Sequence, residues 1–174
     1  MAHSTTHTPL DRLLAIAIVL LIAVALAMIA ATLPELPAAI ATHFGLDGRA
    51  NGWMTRDGYA RVIVVFTVGF PIAIWAMVAL APRRFPRFAK IPNRDVWLSP
   101  AHRAHTLERL DTFGRLHALG AIVLPIGLHW LVIAKNVPTT GSGALVGAIA
   151  LLAIAVAAQV VTTIALKRAF RRPP

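Results

Sequence analysis

Residues Leu13–Leu33 read LLAIAIVLLIAVALAMIAATL, a run without a single charged or amide side chain. At about 1.5 Å of rise per residue, such a helix matches a hydrocarbon core of roughly 30 Å. Three further runs share this character, at Val62–Ala81, Leu116–Ala134 and Ala144–Leu166. None of them holds Asp, Glu, Lys or Arg. The chain of 174 residues is 57% hydrophobic with a mean hydropathy of +0.71. A soluble fold could bury one such run, but not four with so little polar surface between them. The expected fold is an all-α integral membrane four-helix bundle. Its first span reads as an uncleaved signal anchor, because its apolar core exceeds the usual signal-peptide length.

Charge sets the expected orientation. Thirteen basic residues lie in the segments on one side of the spans: Arg12, eight from Arg83 to Arg115, and Lys167, Arg168, Arg171 and Arg172. Only Arg49, Arg56, Arg61 and Lys135 lie on the other side. The positive-inside rule therefore places both termini and the middle segment in the cytoplasm, in a multi-pass arrangement. The net charge of +10 at pH 7 is then matched to anionic lipid headgroups. Nucleic acid is not an expected partner, for no recognition helix or interleaved aromatic pattern accompanies the charge. The absence of cysteine excludes disulfides, thiolate metal sites and thiol catalysis.

Between the spans, residues 1–12 read as a polar, disordered tail. Pro34 ends the first helix. Residues 34–61 form an external loop with turn signals at Asp47-Gly48 and Asn51-Gly52, read as a short hairpin or compact loop. Pro71 and Pro125 fall at the midpoints of spans two and three, where each frees the carbonyl four residues earlier. The cytoplasmic segment 82–115 alternates basic and aromatic residues and suits the lipid interface. A helix is expected to start at Ser99, with Pro100 in its first turn and Leu107, Leu110 and Phe113 along one apolar stripe. Gly143 and Gly147 make a G-x-x-x-G pair that permits close helix approach.

Few residues suggest chemistry. His102, His105, Glu108 and Asp111 recur at steps of three, and read as a solvated face neutralised by Arg103 and Arg109 rather than a metal site. His117 and Gln159 sit inside spans three and four, and a hydrogen bond between them would satisfy both. His43 and His129 are expected to face one outer aqueous layer, with Trp130 in the aromatic belt. No H-E-x-x-H, G-x-S-x-G or G-x-x-x-x-G-K-[ST] pattern occurs, so no catalysis, metal or cofactor is expected.

Two segments carry a resemblance. Leu36-Pro37-Ala38-Ala39-Ile40-Ala41-Thr42-His43-Phe44, followed by Gly48 and Trp53, resembles an L-P-x-x-I-P-x-H-F-x-x-x-G signature. Ile91-Pro92-Asn93-Arg94-Asp95-Val96-Trp97-Leu98-Ser99-Pro100 resembles I-P-N-K-D-Y-W-L-A-P. Both are similar to a bacterial membrane family of unknown function, which also forms the N-terminal part of SdpI-type proteins. Those give immunity to a secreted peptide toxin and take part in sensing it. Ala41 replaces a proline and Val96 an aromatic of the family pattern. The resemblance covers residues 13–135, leaving 1–12 as the polar tail and 136–174 as the fourth span with its basic tail. It implies a binding role, with His43, Phe44, Gly48 and Trp53 outside and Pro92, Asn93, Asp95 and Trp97 inside as recognition residues. Trp97 would anchor among headgroups, and Asn93 and Asp95 would cap the turn and hold Arg94. The partner would be an amphipathic peptide or another membrane protein. Two other roles stay open: an accessory subunit docked through span four, and a metal-dependent enzyme using His43 or the His102–His105 pair.

Overall fold

The computed structural model describes residues 8–45 and 47–172. Helix α1 (Pro9–Thr32) begins at Thr8, whose side chain and the Asp11 carboxylate cap each other's backbone N–H groups. The helix therefore takes in Pro9–Arg12, which the sequence reading assigned to the tail; residues 1–7 of that tail lie outside the described residues. A 3₁₀ turn at Leu33–Glu35 leads into strands β1 (Ala39–Phe44) and β2 (Ala50–Thr55), which pair as an antiparallel hairpin. Helix α2 (Arg56–Trp75) starts at Thr55, whose hydroxyl accepts from the Gly58 N–H. It continues through a π turn, Ala76–Leu80, into the short α3 (Ala81–Arg84). After α4 (Arg94–Trp97), helices α5 (Arg103–Ala121) and α6 (Val123–Asn136) form one interrupted span, and α7 (Gly141–Ala169) completes the bundle.

Among the described residues, four helical segments are long and apolar enough to cross a membrane: Pro9–Glu35, Arg56–Arg84, Arg103–Asn136 and Pro138–Ala169. Their outer faces decide the solvent. Val19, Val65, Val146 and Val161 are each 64–69% exposed, and apolar surface on this scale suits lipid rather than water. The molecule is a multi-pass membrane protein with an all-α bundle and one small hairpin. The helices alternate in direction, so the hairpin occupies one end and the start of α1 and the end of α7 the other, here the hairpin end and the basic end.

Each end has its own apolar core. At the hairpin end Ile29, Leu36, Ile40, Tyr59, Ile63 and Ile133 pack together. At the basic end the cluster is Ala89, Ile91, Trp97, Leu110, Leu166 and Phe170, with Leu107 and Phe113 packed against it. The stripe on α5 thus faces protein rather than a membrane surface. In lipid, helix association depends on close packing because the tails are as apolar as the side chains. Gly114 lets α5 meet the π turn, where an added Cβ would lie 3.0 Å from the Trp75 ring and 3.1 Å from Ala79 Cβ. Gly120 and Gly127 do the same against α7, with Ala158 and Leu152 at 3.1 and 3.0 Å. Gly143 and Gly147 have nothing within 4 Å. The close approach to α7 thus comes from glycines of α5 and α6, while the G-x-x-x-G pair packs against no part of the described chain.

Two local expectations change. The helix α5 starts at Arg103 with no side-chain cap, not at Ser99. Thr106 donates to the Trp97 carbonyl at 2.7 Å, which holds residues 98–102 in turns before the helix begins. Asn51-Gly52 lies within β2 instead of a turn. There Gly52 opposes His43 beside a bulge, and a Cβ would come within 3.0 Å of it, so glycine serves close approach. Asp47-Gly48 does make the turn, with Gly48 at φ 76°. The proline of span three acts as expected: α5 and α6 separate at Ile122, three residues before Pro125, whose missing N–H cannot bond the Ala121 carbonyl.

Candidate functional site

The hairpin is fixed to the bundle from below. Asn136, at the end of α6, donates through Nδ2 to the Ala41 carbonyl at 2.9 Å and accepts from the Ala41 N–H at 2.8 Å. That pair mimics a strand partner on the edge of β1. Ile40 is fully buried beside it and Leu36 almost so. The hydrophobic letters of the first motif are therefore anchors. Its other letters point away: His43 is exposed, with Nδ1 3.1 Å from the Thr42 hydroxyl, and Gly48 is exposed at the tip. Phe44 is half-buried, with the Lys135 ammonium 5.6 Å from its ring centroid. Trp53, on β2, is 61% exposed. A firmly seated hairpin thus presents an indole, an imidazole and a phenyl ring over the mouth of the bundle.

Beneath it runs a buried chain of hydrogen bonds that joins three spans. Thr32 Oγ1 donates to the Met28 carbonyl at 2.8 Å. It is therefore the acceptor for His129 Nε2–H at 2.7 Å, which leaves Nδ1 to accept from the Tyr59 hydroxyl at 2.8 Å. This order fixes a neutral tautomer with both nitrogens satisfied. His129 is 0% exposed, so the expectation that it shares an aqueous layer with His43 is wrong. Trp130 donates its indole N–H to Met28 Sδ at 3.1 Å rather than only lining an interface. His129→Leu should strand the buried Tyr59 hydroxyl and cost about 1–3 kcal/mol. Adding Tyr59→Phe removes the orphan, so the double variant should be less destabilised than the two single losses combined. Thermal unfolding of the four proteins in detergent measures this coupling; strict additivity would show that the chain is not a unit.

At the basic end the second motif is equally fastened. Trp97 is 6% exposed, donates to the Phe170 carbonyl at 2.9 Å and meets the Phe170 ring edge-on at 5.1 Å. It is a core residue and not a headgroup anchor. Asn93 adopts φ 53°, and its side chain donates to the Arg171 carbonyl at 2.9 Å instead of capping α4. The exposed Asp95 does bind Arg94, at 3.1 Å, and Pro92 is half-buried. Arg109 lies over the Trp97 and Phe170 rings at 5.7 and 4.7 Å, and donates to the Ala169 carbonyl.

Of the two carboxylates in the row at steps of three, Glu108 is exposed as a solvated face requires, and Asp111 is not. Asp111 is 7% exposed and pairs with Arg115 at 2.7 Å, while accepting from Trp75 Nε1 at 2.9 Å. Asp11, also 7% exposed, approaches the same guanidinium at 3.5 Å and accepts from Thr112 at 2.8 Å. Arg103 instead donates to the Arg83 carbonyl. Among the described residues no three His, Cys, Asp or Glu side chains converge as they would around a metal ion. His117 and Gln159 meet as expected. Gln159 donates to the His117 carbonyl at 2.9 Å, so its Oε1, 2.7 Å from His117 Nδ1, accepts.

Residues 20–68, from within α1 through the hairpin into α2, match the model of a domain of unknown function, DUF1648. The first motif lies inside that match and the second outside it. No curated protein and no solved structure matches the chain.

Proposed function

We propose that this chain is a binding protein of the bacterial cytoplasmic membrane, with both termini inside, whose external hairpin recognises an amphipathic peptide. The reading follows the motif resemblance to SdpI-type proteins and makes the role peptide-toxin immunity or sensing. It is a role in binding, not catalysis. The observation that carries it is the contrast within one hairpin. Backbone and aliphatic residues are locked down by Asn136 and the core, whereas Trp53 stands 61% exposed beside His43 and Phe44. Exposed aromatics on a rigid support lose little conformational entropy on binding, which favours them as contact residues.

The test is sensitivity to a secreted amphipathic peptide. Deleting the gene should sensitise cells, and Trp53→Ala or His43→Ala should remove protection while membrane levels of the protein stay unchanged. Asn136→Leu should impair protection as well by freeing the hairpin. Loss of the protein together with protection would mark these residues as architectural and defeat the reading. An accessory subunit is the second reading, favoured by the open face at Gly143 and Gly147. Crosslinks from those positions to another envelope protein in native membranes would support it, and a lone monomer would sink it.

A further inference from the structure

At the basic end, a cavity of about 450 Å³ opens between the π turn, the segment before α4, α5 and α7. Its walls are chiefly aliphatic, with Ile74, Met77, Val78, Leu110 and Leu166. Two lysines also line it, Lys90 and Lys167, and both are exposed. Neither has an acidic partner among the described residues. We propose that this cavity seats one anionic phospholipid, with its phosphate between Lys90 and Lys167 and an acyl chain along Met77, Val78 and Leu166.

The placement along the bundle fits such a molecule. Lys167 stands in the last turn of α7, and Gln159, lower in the same cavity wall, is eight residues earlier. Eight helical residues span about 12 Å, so the cavity runs from headgroup level into the acyl region. Below the lysines the wall holds His117, Gln159 and Thr163; the first two direct their bonds at each other, so the threonine hydroxyl is the one small polar group beside them in an otherwise aliphatic lining. Lysine stems can lie along that wall while the ammonium groups reach the phosphate level. The π turn supplies two of the lining residues, and π turns recur at functional sites. A second copy in the same membrane orientation would bring its own basic end against these lysines, and like charges oppose that contact. The site uses only the arrangement of the spans and stands apart from the hairpin reading.

The full chain purified in a neutral maltoside detergent is titrated with phosphatidylglycerol or with phosphatidylcholine of the same acyl chains. Native mass spectrometry should show one retained phosphatidylglycerol per chain, and only that lipid should raise the unfolding midpoint. Lys90→Gln/Lys167→Gln should weaken retention about thirty-fold, with the lipid-free midpoint unchanged. Val78→Trp should fill the cavity and remove retention with both lysines intact. Arg83→Gln/Arg84→Gln, exposed at the same end but outside the cavity, should bind as the parent does. Equal loss in that control would reduce the effect to diffuse surface charge and overturn the site. An equal midpoint shift with glycerol phosphate alone would show a soluble phosphate ligand and overturn the lipid. Photocrosslinking from Met77 that captured protein instead of lipid would overturn it also.

Discussion

Arg115→Met should lower stability by about 3–5 kcal/mol, read as an earlier unfolding transition of the purified protein in detergent. The size follows from what remains behind. Arg115 is the shared cation of two carboxylates that are each 7% exposed. Asp11 also holds the Thr8 and Thr112 hydroxyls, and Asp111 the Trp75 indole. Those donors cannot replace a full positive charge, so the variant keeps two like charges in a place with little water. Methionine fills much of the arginine stem's volume, which separates the electrostatic loss from a packing loss. Adding Asp11→Asn and Asp111→Asn should recover most of the stability, because it removes the stranded charges. An Arg115→Met protein as stable as the parent would show that water reaches the cluster. The pairing matters to the bundle as a whole, since it ties α1, α2 and α5 at one level.

Phe170→Ala should cost about 3–5 kcal/mol, as expected for emptying a buried aromatic site. A sequence reader sees only a basic tail here. In the structure Phe170 is 0% exposed and meets Trp97, Phe113 and the Arg109 guanidinium. The neighbouring carbonyls of Ala169, Phe170 and Arg171 accept from Arg109, Trp97 and Asn93. The tail is thereby stitched to the second motif. Unfolding midpoints check the prediction, as does emission from Trp97 once Trp53, Trp75 and Trp130 are replaced by Phe, since exposure of the remaining indole should shift it to the red. Neutralising Arg171 and Arg172 while keeping Phe170 should change the midpoint little, because their heads are exposed.

What could be read in advance was local. Apolar length gives spans, an Asp-Gly turn signal gives a hairpin, and a stripe at Leu107, Leu110 and Phe113 gives an apolar face, though not that protein covers it. The His117–Gln159 bond was legible because each is a strongly polar side chain toward the same end of two successive apolar runs. Tyr59, Thr32 and Asn136 gave no such signal. Their partners lie 70, 97 and 95 residues away, and no periodicity encodes that distance. The row His102, His105, Glu108, Asp111 misled at its last member, for the converse reason. Its spacing was real, yet Asp111 is claimed by Arg115 and Trp75, one a turn onward and one on another helix. Trp97 likewise looked like an interfacial residue until a terminal segment was seen to cover it.

The π turn carries a consequence for the register of its helix. Tyr59, Ile63, Thr67, Pro71 and Ala79 are all buried, and they recur in multiples of four. In an α-helix each step of four overshoots a full revolution by about 40°, so the inward line would creep around the cylinder. The slower winding of the π segment turns it back, and returns Ala79 to the side that Gly114 approaches. Excising one residue from 76–80 would therefore do more than shorten the helix. It would swing Arg83 and Arg84 to a new azimuth and leave the glycine of α5 opposite the wrong side chain.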